Sequence, residues 1–120
     1  MAIILVVEDI PANLALATKL LQGAGHEVLC ADTAEAALAL ASDRAPNLIL
    51  MDLGLPDMDG WQALERLRSH QETADIRVVA FTAHAMTGDR DRVLEAGFDG
   101  YISKPIDFAT FADSVERLLR

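Results

Sequence analysis

Five short runs of apolar residues alternate along the chain with longer segments in which apolar residues recur every three or four positions. The runs have the length of strands, and the segments between them have the period of amphipathic helices. Because the runs are apolar almost throughout, both faces of the predicted strands should be buried, which is typical of a parallel sheet with helices on both sides. The predicted strands are Ile3 to Val7, Glu27 to Ala31, Leu48 to Met51, Arg77 to Phe81 and Gly100 to Ser103.

Some of the helical segments carry end signals. Asp32, with Glu35 three positions later, resembles a capping box at the start of the second helix. Gly97 is a predicted stop after the fourth helix, and Asp107 is the predicted cap of the fifth. The fifth helix has the clearest apolar stripe, formed by Phe108, Phe111, Val115 and Leu118.

The handedness of parallel crossovers leaves few ways to connect these elements. We expect an α/β domain with a flavodoxin-like five-stranded parallel sheet, strand order 2-1-3-4-5, and five helices on two faces. In that order the first and third strands are neighbours at the point where the strand order reverses. Ligands of such sheets bind there, beyond the carboxyl ends of the strands.

Charged residues follow three of the predicted strands. Glu8 and Asp9 follow the first, Asp52 follows the third, and Lys104 follows the fifth. Acids in α/β proteins often do no more than cap helices. Three acids and one lysine that meet at one sheet edge, with Thr82 after the fourth strand, instead predict a metal and phosphoryl site.

Composition narrows the function classes. The chain of 120 residues has room for one domain, residues 1–120, and its 52% hydrophobic content is sufficient for a core. No apolar run approaches the ~20 residues of a membrane span, and Met1 does not begin a signal peptide, so we expect a cytoplasmic protein. The formal charge of −9 argues against nonspecific nucleic-acid binding and favours protein partners. The single cysteine, Cys30, is expected to pack in its apolar run.

Four segments together resemble the receiver domain of two-component response regulators. The resemblance covers essentially the whole chain. More narrowly, the run from Ala85-Met86 through Gly88-Asp89 and Ala96-Gly97 to Lys104-Pro105-Ile106 resembles receivers of hybrid histidine kinases and small single-domain regulators, so we expect a stand-alone receiver without an output domain. The segments are Val7-Glu8-Asp9, Leu50 to Gly60, Phe81-Thr82-Ala83 and Gly100 to Ile106.

The resemblance implies a role for each site residue. Asp52 would be the phosphorylated nucleophile, receiving its phosphoryl group from a histidine kinase or a histidine phosphotransfer protein. Mg²⁺ would be held by Asp9, Asp52 and the Gly54 carbonyl, with Glu8 acting through water, in agreement with the preference of this ion for oxygen ligands. Such a domain catalyses its own phosphorylation and slow dephosphorylation without being a conventional enzyme.

The remaining implied roles concern the response to phosphorylation. Lys104 would pair with a phosphoryl oxygen, and its peptide bond to Pro105 would be cis. Thr82 would donate its hydroxyl to the phosphoryl group, and Tyr101 would be the switch aromatic that changes a protein-binding surface. A half-buried strand tyrosine is the other interpretation of Tyr101. Ala83 would leave the site open.

Two positions depart from the common family pattern. Ile10 stands where asparagine is frequent, which affects the first loop but no catalytic atom. Gly54 has no side chain to overhang the site, so the lifetime of the phosphoryl group is left open.

Three other functions compete with the receiver. A haloacid dehalogenase-type hydrolase needs a second aspartate where this chain has Gly54, and a flavodoxin needs a phosphate loop where this chain has Glu8-Asp9-Ile10-Pro11. A module that docks a partner without phosphorylation is the stronger alternative. Loss of Asp9, Asp52 or Lys104 would favour it, and all three are present.

Overall fold

The computed structural model describes residues 2–82 and 89–119. Within these ranges, five strands and five helices alternate in the predicted order. The strands form one parallel sheet in the order β2-β1-β3-β4-β5, which confirms the predicted fold class. The elements are β1 (Ile3–Val7), α1 (Pro11–Gly23), β2 (Glu27–Ala31), α2 (Ala34–Arg44), β3 (Leu48–Asp52), α3 (Gly60–Ser69), β4 (Arg77–Thr82), α4 (Asp89–Glu95), β5 (Gly100–Ser103) and α5 (Phe111–Leu119).

Alternation of side chains along the strands divides the core into two layers. On one face, α2, α3 and α4 cover residues such as Leu5, Ile49 and Val78. On the other, α1 and α5 cover residues such as Val6 and Leu50. Both faces of the central strands are therefore buried, as their apolar sequences predicted.

The residues at the start of α1, α2 and α3 are of the types that commonly begin or cap helices, although the predicted cap of α2 was wrong. Pro11 opens α1, where a missing backbone N–H costs no helical hydrogen bond. The N-cap of α2 is Thr33, whose Oγ1 accepts the Ala36 N–H at 3.2 Å, and not the predicted Asp32. The N-cap of α3 is Asp59, whose Oδ1 accepts the Gln62 N–H at 2.8 Å.

Two predicted core positions are exposed. Asp107 forms a turn ahead of α5 by accepting the Ala109 N–H, and the helix begins only at Phe111. Phe108 consequently lies outside the apolar stripe and is 70% exposed. Cys30 is exposed on β2, which is one of the two edge strands of the sheet, and its Sγ lies 3.3 Å from Thr18 Oγ1 of α1.

No helix among the described residues is both long enough and apolar enough to cross a bilayer.

Candidate functional site

The carboxyl ends of β1, β3 and β5 bring the predicted charged residues together. β3 is one residue longer than predicted, so Asp52 is its last residue, and Glu8 directly follows β1. Lys104 directly follows β5, and its N–H donates to the Thr82 carbonyl at 2.9 Å, which continues the ladder between β4 and β5. The predicted meeting of these residues at one sheet edge is therefore present in the structure.

The alternation of strand side chains explains why three of these charges point into one site. Each lies two positions beyond an apolar residue of the α1–α5 face, so each is directed to that side of the sheet edge. The pairs are Val6 and Glu8, Leu50 and Asp52, and Ile102 and Lys104.

Lys104 lies between the two buried carboxylates. Its Nζ is 2.5 Å from Glu8 Oε2 and 3.5 Å from Asp52 Oδ2. The same ammonium lies 4.8 Å from the centroid of the Phe81 ring, a distance suited to a cation–π contact. With its side chain 14% exposed, Lys104 offers a charge whose position is set by packing as well as by its anionic partners.

Glu8 is the most deeply buried acid of the site. Its exposed fraction is 0%, and burial raises its pKa, opposed by the contact with Lys104 and by the Ile10 N–H that its Oε1 accepts. Its Oε2 is ion-paired with Lys104 Nζ and has no other polar partner among the described residues. The Lys104 ammonium therefore offsets part of the desolvation of this carboxylate, and a bound cation would add to that effect.

These acids form a ligand set suited to a divalent cation. One carboxylate oxygen from each of Glu8, Asp9 and Asp52 lies within 4.8 Å of the other two. Asp9 is exposed, whereas Glu8 and Asp52 are buried, so the cluster has one open side. Hard oxygen donors with room for retained water match the coordination that Mg²⁺ prefers.

The loop between β3 and α3 is folded tightly against Asp52. The Gly54 N–H donates to Asp52 Oδ1 at 3.0 Å, and Gly54 also forms an antiparallel bridge with Asp59. The Gly60 N–H donates to the Leu53 carbonyl at 2.9 Å. A Cβ on Gly60 would lie 2.7 Å from the Asp52 backbone oxygen, so this close return of the chain requires glycine.

Gly54 has the opposite environment. It is exposed, and a Cβ placed on it would meet nothing within 4 Å. A side chain could therefore begin at this position without a clash.

Thr82 and Tyr101 belong to the other face of the sheet. Thr82 is the last residue of β4 and is 2% exposed, while Tyr101 is half-buried against the core layer under α2, α3 and α4. Tyr101 pairs in register with Ala80, two residues before Thr82, so the two side chains are neighbours on that face. Ala83 and residues 84–88 lie outside the described residues.

Sequence reasoning missed one carboxylate near the site. Asp57, in the loop after β3, accepts the N–H of Ala34 at 2.9 Å through Oδ1 and that of Glu35 at 3.0 Å through Oδ2. These two backbone hydrogen bonds lower its pKa, the bond from Ala34 most. The partners are separated by more than twenty residues and follow no sequence pattern, so only the motif Pro56-Asp57 could have drawn attention to the residue.

Trp61 and His26 have structural contacts instead of a place in the site. The Trp61 ring packs edge-on against Phe98 at a centroid distance of 5.5 Å. His26 is buried: its Nδ1 accepts the Ala2 N–H and its Nε2 lies 2.5 Å from Glu116 Oε1. Neither residue contributes to the cluster at the strand ends.

Comparison with known proteins gives a consistent result. The family model described as the response regulator receiver domain matches residues 4–116. The polar-differentiation response regulator DivK of Brucella ovis is 36% identical over 116 residues, which cover 97% of this chain and 94% of that protein.

Solved structures are similar over nearly the whole chain. The receiver domain of sensor histidine kinase PA1611 from Pseudomonas aeruginosa, with a magnesium ion coordinated in its active-site cleft, has 31% identity and a TM-score of 0.88, covering 98% of this chain and 97% of that one. The chemotaxis response regulator CheY4 of Vibrio cholerae has 24% identity and a TM-score of 0.91, covering 98% of each chain, and supports the fold alone.

Proposed function

The chain belongs to the response regulator receiver domain family of two-component signalling, and on that premise we propose that Asp52 accepts a phosphoryl group from a phosphohistidine. The donor is a histidine kinase or a histidine phosphotransfer protein, the classes with which receiver domains interact. The observation that carries the proposal is the shared contact of the Lys104 ammonium with Glu8 and Asp52 at the end of β3.

The transfer is a single displacement at phosphorus. One Asp52 carboxylate oxygen forms the new O–P bond while the P–N bond of the phosphohistidine breaks. The imidazole keeps the electron pair of that bond and, being protonated on its other nitrogen, leaves as the neutral ring. Such a transfer depends mainly on positioning and on neutralising charge at the phosphoryl oxygens.

Mg²⁺ is the cofactor that fits the cluster of acids. Asp9, Asp52 and the Gly54 carbonyl would hold it, with Glu8 acting through water. Bound there, the ion would supply positive charge to neutralise the phosphoryl oxygens. The three carboxylate oxygens within 4.8 Å of one another support this assignment.

Lys104 supplies the second positive charge. In the unphosphorylated protein its ammonium lies nearer to Glu8, at 2.5 Å, than to Asp52, at 3.5 Å. A phosphoryl group on Asp52 would add negative charge beside the ammonium and would draw it from Glu8 toward the phosphoryl oxygens. The Phe81 ring, whose centroid lies 4.8 Å from Lys104 Nζ, would remain in contact with the side chain during this movement.

Thr82 and Tyr101 would convert phosphorylation into a change of surface. Thr82 would donate its hydroxyl to the phosphoryl group, and the movement would be felt by Tyr101 on the same face of the sheet. The equilibrium between two packings of the ring would then shift, changing affinity for a downstream protein target.

Labelling by a small phosphodonor tests the central assignment. The protein is incubated with acetyl phosphate, with and without Mg²⁺, and its intact mass is measured. We expect wild type to gain one phosphoryl group only with Mg²⁺, and Asp52→Asn to gain none. Asp43→Asn, which removes an exposed carboxylate from α2, is the matched control and should be labelled like wild type.

Two results would overturn the proposal. Labelling of Asp52→Asn at wild-type stoichiometry would assign the nucleophile elsewhere. An unlabelled wild type that retains the fold would instead favour a module that docks its partner without phosphorylation.

A further inference from the structure

Asp57 joins the loop of the candidate site to a helix that is distant in sequence. Its two carboxylate oxygens accept the backbone N–H groups of Ala34 and Glu35, the first two residues of α2. The Thr33 side chain accepts the next N–H, that of Ala36. Without Asp57, two donors of the first turn would depend on solvent, because no residue within a helix can satisfy them.

The other end of this connection is the site itself. Asp57 lies three residues after Gly54, whose N–H donates to Asp52 Oδ1 at 3.0 Å. The antiparallel bridge between Gly54 and Asp59 makes the intervening residues a short closed turn. Leu55, inside that turn, is buried, so the turn is anchored to the core on one side and to α2 on the other.

The chemistry of the contact makes it strong for an exposed position. An anion at a helix N-terminus is favoured by the aligned peptide dipoles, and both oxygens are used. The two N–H groups lower the pKa of Asp57, so the carboxylate is ionised at neutral pH. Breaking the contact would release the apex of the loop and two backbone donors of α2 at once.

We propose that Asp57 is a positioning residue that fastens the β3–α3 loop to the first turn of α2 and thereby holds the Gly54 carbonyl in place for Mg²⁺. This inference rests on the proposed function. It adds that α2 and the cation site are energetically coupled. The contact of Asp57 with α2 strengthens Mg²⁺ binding by some factor, and bound Mg²⁺ must then strengthen that contact by the same factor.

Asp59 provides the matched control. It lies in the same loop, is also exposed, and accepts a backbone N–H, that of Gln62, at 2.8 Å. Replacing either aspartate by asparagine removes one negative charge from the loop and weakens the cap of one helix. Only Asp57→Asn weakens the connection to α2. A difference in Mg²⁺ affinity between the two variants therefore reports the loss of that connection and not the loss of one negative charge, which both variants share.

The primary measurement is the Mg²⁺ dissociation constant by calorimetry, with melting temperatures recorded for each variant. We expect Asp57→Asn to weaken Mg²⁺ binding about fivefold relative to Asp59→Asn, the lower end of ordinary coupling between sites. Asp57→Glu, which keeps a carboxylate on a longer side chain, should restore part of the affinity. A purely structural role would lower the melting temperature of Asp57→Asn and leave its Mg²⁺ affinity equal to that of Asp59→Asn.

Amide hydrogen exchange tests the reciprocal effect at α2. Mg²⁺ should slow exchange at Ala34 and Glu35 in wild type and in Asp59→Asn, and should have no such effect in Asp57→Asn. Equal Mg²⁺ affinities for the two asparagine variants, or unchanged exchange at α2 in wild type, would overturn the inference.

The two proposals can fail separately. Normal labelling of Asp52 with equal Mg²⁺ affinities would refute the role of Asp57 and retain the proposed function. If Asp52 is not labelled but the two asparagine variants differ in Mg²⁺ affinity as expected, the proposed function is refuted and the role of Asp57 is retained.

Discussion

Replacing Gly60 by alanine should destabilise the protein by displacing the loop that carries the site. The added Cβ would lie 2.7 Å from the Asp52 backbone oxygen, 2.8 Å from Leu53 Cα and 2.9 Å from Leu53 Cδ2. Two of these atoms are backbone atoms at the end of β3, so a side-chain rotation cannot relieve the overlap. The loop would have to move by several tenths of an ångström.

The magnitude follows from the cost of forcing extra volume into a packed region, about 1–3 kcal/mol. Gly54→Ala in the same loop is the matched control, because its Cβ would meet nothing within 4 Å. Replacing glycine by alanine at an unstrained position stabilises the folded protein by about 0.4–1 kcal/mol, because it lowers the conformational entropy of the unfolded chain. For a domain of this size, 1 kcal/mol corresponds to roughly 4 °C in melting temperature.

The melting temperatures of both variants are measured by thermal unfolding, monitored by circular dichroism. We expect Gly60→Ala to melt about 4–12 °C below wild type and Gly54→Ala to melt at or slightly above it. Phosphorylation of Gly60→Ala by acetyl phosphate should also be slower, since the clash involves the nucleophile's own backbone. A Gly60→Ala protein as stable as Gly54→Ala would refute the close return of the chain at Asp52.

Four further outcomes are expected. Without Mg²⁺, burial raises the pKa of Glu8 above 4.5, so the ionised carboxylate destabilises the fold. In denaturant unfolding, wild type should lose stability relative to Glu8→Gln as the pH rises through the raised pKa. A difference in unfolding free energy that does not change with pH would contradict this. Lys104→Arg should slow acetyl phosphate labelling about tenfold because a planar fork cannot replace a point charge; an unchanged rate would show that net charge suffices. Thr82→Ala should be labelled yet lose most of the phosphorylation-dependent gain in partner affinity, and a full wild-type gain would exclude its switch role. Gly54→Met should lengthen the phosphoryl half-life several-fold, within about 1 kcal/mol of barrier, and half-lives equal to wild type would mean that the position does not control access.

The strands and the site core could be predicted because both follow from local sequence. An apolar strand ends where a charge appears, and alternation by two determines the face to which that charge points. Together with the strand order, these two local rules place Asp52 and Lys104 at one edge of the sheet. Alternation by two also separates Glu8 from Asp9, but it does not tell which of them is buried; in the structure Glu8 is buried and Asp9 is exposed.

The unpredicted features depend on contacts between distant segments. Asp57 caps α2 from a loop that follows a different strand, and no spacing rule connects it to Ala34. Cys30 is exposed on an edge strand of the sheet, which its apolar neighbours in sequence do not reveal. Phe108 fits the helical period, yet the turn at Asp107 delays the helix and leaves the ring outside the core.

The most direct test of the account is to locate the phosphoryl group chemically. Protein treated with acetyl phosphate is reduced with borohydride, which converts an aspartyl phosphate to homoserine, and the peptides are sequenced by mass spectrometry. We expect homoserine at position 52, formed only when Mg²⁺ was present during phosphorylation. Homoserine at Asp9 or at another acid, or a phosphoryl group that resists reduction, would contradict the assignment of Asp52 as the acceptor.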